Sequence, residues 1–210
     1  MKTTLKSLLM LLMMLAFTSL QAQVKFGPKA GMNLSTMTLK SSGISFDPKM
    51  LVGFHAGLVS EIGLTDNLKL QPGILYSSKG SKYELTLFEE SFDFSMVPAF
   101  IEVPLNVLYS FGQGETKFNI FAGPYFAYGI GGKFKSDGES EDIIFGTSED
   151  DDMKPFDIGV NFGAGVNIKG FLISAQYGLG LANLTTEDTG DTEMKNKVIG
   201  ISVAYLFGVK

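Results

Sequence analysis

The chain has 210 residues, 45% of them hydrophobic and 19% charged, with a net charge of −5 and no cysteine. Those numbers exclude a disulfide-stapled domain, a cysteine-based metal centre and a cysteine-linked lipid anchor. No nucleic-acid partner is expected of so acidic a chain, whereas 18 Phe, 7 Tyr and 25 Gly are the mixture of an exported membrane β-barrel.

The first segment supplies the compartment. Lys2 and Lys6 precede an apolar run over 8–17, and 18–22 is small and polar, ending in Ala22. This is the pattern of a cleaved secretory signal over 1–22, because ten apolar residues are about half of what a spanning helix needs. One domain is expected over 23–210, since no Pro- or Ser-rich linker divides it.

From there the chain alternates with a period of two, which puts unlike side chains on the two faces of a strand. Eight strands are expected, over 24–34, 52–62, 68–76, 101–111, 118–128, 156–168, 171–181 and 197–207. The run over 156–168 is the clearest: Phe156, Ile158, Val160, Phe162, Ala164, Val166 and Ile168 alternate with Asp157, Gly159, Asn161, Gly163, Gly165 and Asn167. Thirteen residues without a break is about twice the usual length of a strand in a soluble sheet. Pro28, Pro72, Pro104 and Pro124 fall inside strands, where a missing N–H donor normally marks a bulge or an edge.

The connections alternate as well. Those over 63–67, 112–117 and 169–170 are short, and those over 35–50, 79–100, 129–155 and 182–196 are long. An up-and-down barrel would gather the short turns and both termini on the periplasmic side and the long loops outside. Given their strand directions, Phe26, Tyr109, Phe111, Phe118, Phe171, Tyr205 and Phe207 form one aromatic band and Phe54, Tyr76, Phe126, Tyr128, Phe156 and Tyr177 the other, matching the two interfacial girdles.

A soluble eight-stranded barrel of the lipocalin kind, with its apolar face inward, is the rival architecture. Its outer face would carry many Lys, Glu and Thr. Here the second face is mostly Gly, Asn, Gln and Ser. Its few charges, Lys25, Lys29 and Lys69 against Glu61, Glu102 and Asp157, suit an enclosed interior where ions are paired. The expected fold is therefore all-β: an eight-stranded antiparallel up-and-down transmembrane β-barrel with lipid outside.

Several segments resemble the porin-like outer-membrane barrels grouped with PorT in Gram-negative bacteria. They are the run from Gln71 through Pro72, Gly73 and Tyr76 to Gly80, Ile101-Glu102-Val103-Pro104-Leu105, Gly123-Pro124, Asp157-x-Gly159 with Gly163-Ala164-Gly165, and the run from Tyr177 to Asn183. Gln176 stands where that family often has Arg. Gly200, Val203, Tyr205 and Phe207 are similar to the terminal signal read by the barrel-assembly machinery. The resemblance implies a barrel in the cell outer membrane, with assembly by that machinery and, for the name-giving member, a part in protein secretion.

Chemistry is sparser. His55, the single histidine, shares the lumen face with Glu61. It could serve as a base in an outer-membrane lipid-modifying enzyme, but no second catalytic partner is fixed by any motif, and a hydrogen-bonded lumen histidine is the simpler reading. No nucleophile elbow, zinc-helix or phosphate-loop motif is present. Of the 22 acids, all but Glu61, Asp66, Glu102, Glu115 and Asp157 crowd the long connections. A divalent cation could bridge 149–152, although four consecutive acids lack the spacing of a calcium loop and read more simply as a solvated face.

In the connection over 79–100, Tyr83, Leu85 and Leu87 alternate on one side of Glu89-Glu90 and Phe92, Phe94 and Met96 on the other, out of phase with the strands below. They either present a ribbon to a protein partner or extend the wall and fold over the lumen. The leading expectation is a non-enzymatic, monomeric barrel without cofactor, in contact with outer-membrane lipid. Its envelope-structural or recognition role would be carried by the long acidic loops. A small-solute channel and a secretion-accessory barrel are the alternatives, although eight strands generally enclose a filled lumen.

Overall fold

The computed structural model describes residues 24–41, 44–46, 48–87, 90–136, 138–186 and 192–208. The expected export signal over 1–22 lies outside them. Twelve strands follow in chain order: β1 (Val24–Ser41), β2 (Ile44–Phe46), β3 (Lys49–Gly63), β4 (Leu68–Ser78), β5 (Ser81–Leu87), β6 (Glu90–Phe111), β7 (Thr116–Ser136), β8 (Glu139–Asp142), β9 (Phe156–Ile168), β10 (Phe171–Gly180), β11 (Glu193–Tyr205) and β12 (Phe207–Gly208). Eight of them, β1, β3, β4, β6, β7, β9, β10 and β11, pair antiparallel in that order, and β1 joins both β3 and β11 to close the ring. Closure leaves the spanning part without a free edge, which a lipid environment requires of any sheet.

The outer face is apolar. Phe54, Ile120, Phe162 and Ile201 stand exposed on it, while Lys29, Asn33, Glu102, Asn106, Asp157 and Ser202 are buried in the lumen. This is the reverse of a lipocalin, so the apolar face meets lipid. Cross-strand aromatic pairs mark the two interfaces. Phe26–Phe207, Phe171–Tyr205 and Phe111–Phe118 lie at the short-turn end, with ring centroids 4.5, 4.7 and 5.9 Å apart. Phe54–Tyr76, Tyr128–Phe156 and Phe162–Tyr177 lie toward the other, at 5.3, 5.0 and 5.3 Å.

Two expectations need correction. The prolines do not make bulges: pairing lapses between Pro72↔Leu105 and Leu75↔Glu102, and between Pro104↔Tyr125 and Val107↔Ala122, yet the register on either side of each gap is the same. Proline withholds a donor without adding a residue, so a ladder bond is lost while the count is kept. The register shift lies higher, between Ala99 and Phe100, where Phe100 pairs with Gly129 and Ala99 with Gly131. Ile130 is the extra residue, and Gly131 takes a φ of 152°, open to glycine.

The second correction concerns strand length. β6 runs 22 residues and β7 21, far beyond the eleven-residue spans read from the sequence. Polarity inverts above the outer girdle. The inward face of β1 passes from Lys29, Asn33 and Ser35 to Met37, and that of β6 from Asn106 and Glu102 to Phe100. Alternation therefore continues through the supposed loops, with apolar side chains now inside, as in a soluble protein where water replaces lipid at the outer face.

Candidate functional site

The lumen is packed in tiers. At the periplasmic end Lys69 Nζ lies 3.0 Å from Glu61 Oε2, and Gln71 Nε2 donates to Glu61 Oε1 at 3.4 Å. Lys25 is the register partner of Glu61 and half-buried. Lys25, Glu61 and Lys69 line a vestibule of ≈ 1030 Å³ at the periplasmic mouth, together with Lys117, Asn167 and Lys169. An apolar layer of Val59, Leu75, Leu172, Ala204 and Leu206 is buried within the same half.

The central tier is built around Lys79. Its Nζ lies 2.6 Å from Glu102 Oε2 and 3.6 Å from Asp157 Oδ2. The same ammonium sits 4.4 Å from the centroid of the Tyr125 ring and 5.3 Å from that of Phe100, in reach of a cation–π attraction. Asp157 Oδ2 also accepts from the Tyr125 hydroxyl at 3.1 Å and from Asn196 Nδ2 at 2.8 Å. The end of β4, which Lys79 directly follows, and strands β6, β7, β9 and β11 are thereby tied across the lumen by side chains. Lys29 reaches Gln176 Oε1 at 3.4 Å, so Lys29 and Lys79 face Glu102 and Asp157 in a charge-balanced layer, the condition for keeping ions buried.

His55 belongs to the same tier. Its Nδ1 lies 2.8 Å from Asn33 Oδ1, and Asn33 Nδ2 donates to Ser78 O at 2.9 Å and to Ser77 Oγ at 3.2 Å. With the amide so oriented, Nδ1 carries the proton and His55 is a donor. A cavity of ≈ 10 Å³ remains beside Asn33, His55, Lys79, Glu102 and Tyr125, about the space of one water. His55 and its neighbours are thus held in one packed, hydrogen-bonded tier.

Above it is an apolar cap. Met37, Phe100, Tyr125, Ala127, Ile143, Met153, Leu184 and Met194 form one buried cluster, with Met96, Phe134, Phe145 and Ala182 against it. The segment after β8 folds back over the mouth: Ile143 N donates to Gly132 O, Phe145 bridges to Met153, and Thr186 Oγ1 donates to Asp151 O at 2.8 Å. Gly129 carries no Cβ where the Phe145 ring lies, and the ring stacks edge-on with Phe100 at 5.7 Å. Within 149–152, Asp151 accepts from Ser148 N and Asp152 from Ile144 N. These carboxylates cap turns, and among the described residues no group of three acids or histidines is arranged to hold a metal.

The residues read from the sequence are thus partly brought together. Glu61 and Lys69 meet; Glu102 and Asp157 meet through Lys79; Lys29 and His55 line the same tier. Lys79 itself was missed because Ser77-Ser78-Lys79-Gly80 reads as the start of a loop, although it keeps the odd-numbered inward phase of Gln71, Leu75 and Ser77. Of the two readings of the outer ribbon, Tyr83 follows the one in which it folds over the lumen. Tyr83 is 2% exposed, donates to Met37 O at 2.9 Å and stacks on Phe94 at 5.0 Å. It points into the cap and is withheld from a partner, and burial raises the pKa of its phenol. Met96 and Phe94 share its face through the pairs Ser81↔Met96 and Tyr83↔Phe94, and Leu85 pairs with Phe92 and Leu87 with Glu90. The side chains of Leu85, Leu87 and Phe92 lie outside the described residues.

No curated protein matches the chain. Solved structures do, at low identity. The outer membrane protein OprG from Pseudomonas aeruginosa is 12% identical, with a TM-score of 0.48 over 90% of this chain and 98% of that one. Neisserial surface protein A is 15% identical, with a TM-score of 0.44 over 87% and 97%. Ail, the attachment invasion locus protein of Yersinia pestis, is 19% identical, with a TM-score of 0.42 over 88% and 99%. The family described as Outer membrane protein beta-barrel domain matches residues 19–186, most of the chain. With its ring of eight lipid-facing strands, the chain belongs to that family and is a β-barrel protein of the outer membrane.

Proposed function

We propose that this barrel is non-enzymatic and sealed, and that it acts in envelope structure or recognition through its long acidic outer loops. The observation that carries this reading is the Lys79–Glu102–Asp157 knot under the apolar cap, beside which ≈ 10 Å³ of space remains. A solute path would have to break both. His55 lies inside the same packing, hydrogen-bonded to Asn33, which weighs against a lipid-modifying enzyme. The lumen charges Lys25, Lys29, Lys69, Glu61, Glu102 and Asp157 serve assembly and rigidity in this reading, and no cofactor is required.

Residues 1–22 then act as a cleaved export signal and 23–210 as one barrel domain, folded by the barrel-assembly machinery and working as a monomer. Kinship with the PorT group, and with it a place beside a secretion apparatus, rests on sequence resemblance alone. The solvent face of the outer ribbons and the acidic loops would meet a protein partner. Crosslinking in the native membrane followed by capture tests this: recovery of a defined partner that is lost when 139–152 is replaced by a Gly-Ser segment supports it. Equal recovery from that variant removes the loops from the account.

A further inference from the structure

On the outward face of the upper sheet one row of side chains breaks the acidic pattern. Lys82 on β5 pairs with Ser95 on β6, Ser95 with Lys135 on β7, and Lys135 with Ser140 on β8. Tyr83, Phe94 and Phe134 on the neighbouring positions stack inward, so alternation turns Lys82, Ser95 and Lys135 outward. Two strand spacings of about 4.8 Å separate Lys82 from Lys135. Neither ammonium makes an ion pair among the described residues, whereas Lys133, two positions below, is paired with Asp142 at 2.6 Å.

Beneath the Lys135 end of this row the lipid-facing surface rises higher than its girdle. Phe156 and Tyr128 are followed toward the outside by Ile130 and Ile144, all well exposed. Ile130 precedes Lys133 by three residues, about 10 Å along an extended strand. The bulge at Ile130 makes this juxtaposition, because it moves the outward phase of β7 from even to odd positions and so swings Lys133 and Lys135 out. Asp93, two positions further from the membrane than Ser95 on β6, is exposed and repels an anion from any higher position.

We propose that this flank is a docking site for the phosphorylated glycolipid of the outer leaflet. Its acyl chains would lie along Phe156, Tyr128, Ile130 and Ile144, and a phosphate would sit between Lys82 and Lys135 with the Ser95 hydroxyl as a further donor. The order apolar, cationic, acidic along the strand matches an amphiphile held at one depth. It fits neither a soluble anion, which has no use for the apolar track, nor a neutral lipid, which has no use for the lysines.

The test uses the full-length barrel in nanodiscs of phosphatidylcholine doped with lipid A, with retained lipid counted by native mass spectrometry. Wild type should retain bisphosphorylated lipid A over the dephosphorylated form by about tenfold. The variant Lys82→Gln/Lys135→Gln should lose that preference, Lys82→Arg/Lys135→Arg should keep it, and Lys117→Gln/Lys169→Gln at the periplasmic mouth should leave it unchanged. Both substituted residues are exposed, so folding is unaffected and unfolding midpoints serve as the check. Equal retention of the dephosphorylated lipid, full retention by the Gln pair, or complete displacement by millimolar inorganic phosphate would each overturn the proposal, the last by revealing a site for free anions.

Discussion

Lys79 and Glu102 meet at 2.6 Å in the middle of the lumen, both side chains almost wholly shielded from solvent. Lys79 directly follows β4, which is already a hydrogen-bonded neighbour of β6, the strand of Glu102. The pair adds a link across the barrel because Lys79 also lies within 3.6 Å of Asp157 on β9.

Removing the cation alone should be costly. Lys79→Met leaves Glu102 and Asp157 as buried like charges, and the loss of one partner from a buried pair typically costs about 3–5 kcal/mol. Urea unfolding in detergent should show it as a lower midpoint. The triple variant Lys79→Met/Glu102→Gln/Asp157→Asn, which removes all three charges, should recover most of the loss.

The lipid-facing assignment can be tested at the middle of β9. Phe162 is exposed on the outer face midway between Phe156 and Ile168. Phe162→Arg should destabilise the folded barrel by about 2–4 kcal/mol, the cost of a cation at the bilayer midplane. The measurement is the equilibrium of folding into liposomes; an unchanged equilibrium would place that face against water.

The cap should loosen when its centre is emptied. Phe100 is 0% exposed and packs on Phe145, so Phe100→Ala should cost about 3–5 kcal/mol. Limited proteolysis should find faster cleavage within 139–153 while the spanning strands stay protected.

A milder change separates the ribbon from the barrel. Tyr83→Phe removes the hydroxyl that donates to Met37 O and should cost about 0.5–1.5 kcal/mol. Amide exchange should accelerate in β5 and the upper part of β1, with no change in the exchange of β9 and β10.

Much of this was legible because lipid imposes a strict period of two. The strand over 156–168 has the bounds expected of it, with Asp157 and Asn161 inside and Phe156 and Phe162 outside. The upper third was harder to read, because the sense of the alternation reverses where water replaces lipid. Tyr83, Phe94 and Met96 gave the signal as an out-of-phase apolar run, and its meaning, an inward-facing cap, depends on where the membrane ends. Lys79 was hidden by Gly80 beside it, a turn-like neighbour whose φ is 143°. The extra residue at Ile130 leaves no mark in composition, since Gly129, Gly131 and Gly132 read alike in sequence.

Single-channel recording in a planar bilayer addresses the proposed seal of the lumen most directly. The wild-type barrel should show no conductance steps, while Lys79→Ala combined with Tyr125→Ala and a shortened 139–152 segment should open a small, steady pore. Stable open steps from the unmodified protein would contradict a sealed lumen and restore the small-solute channel.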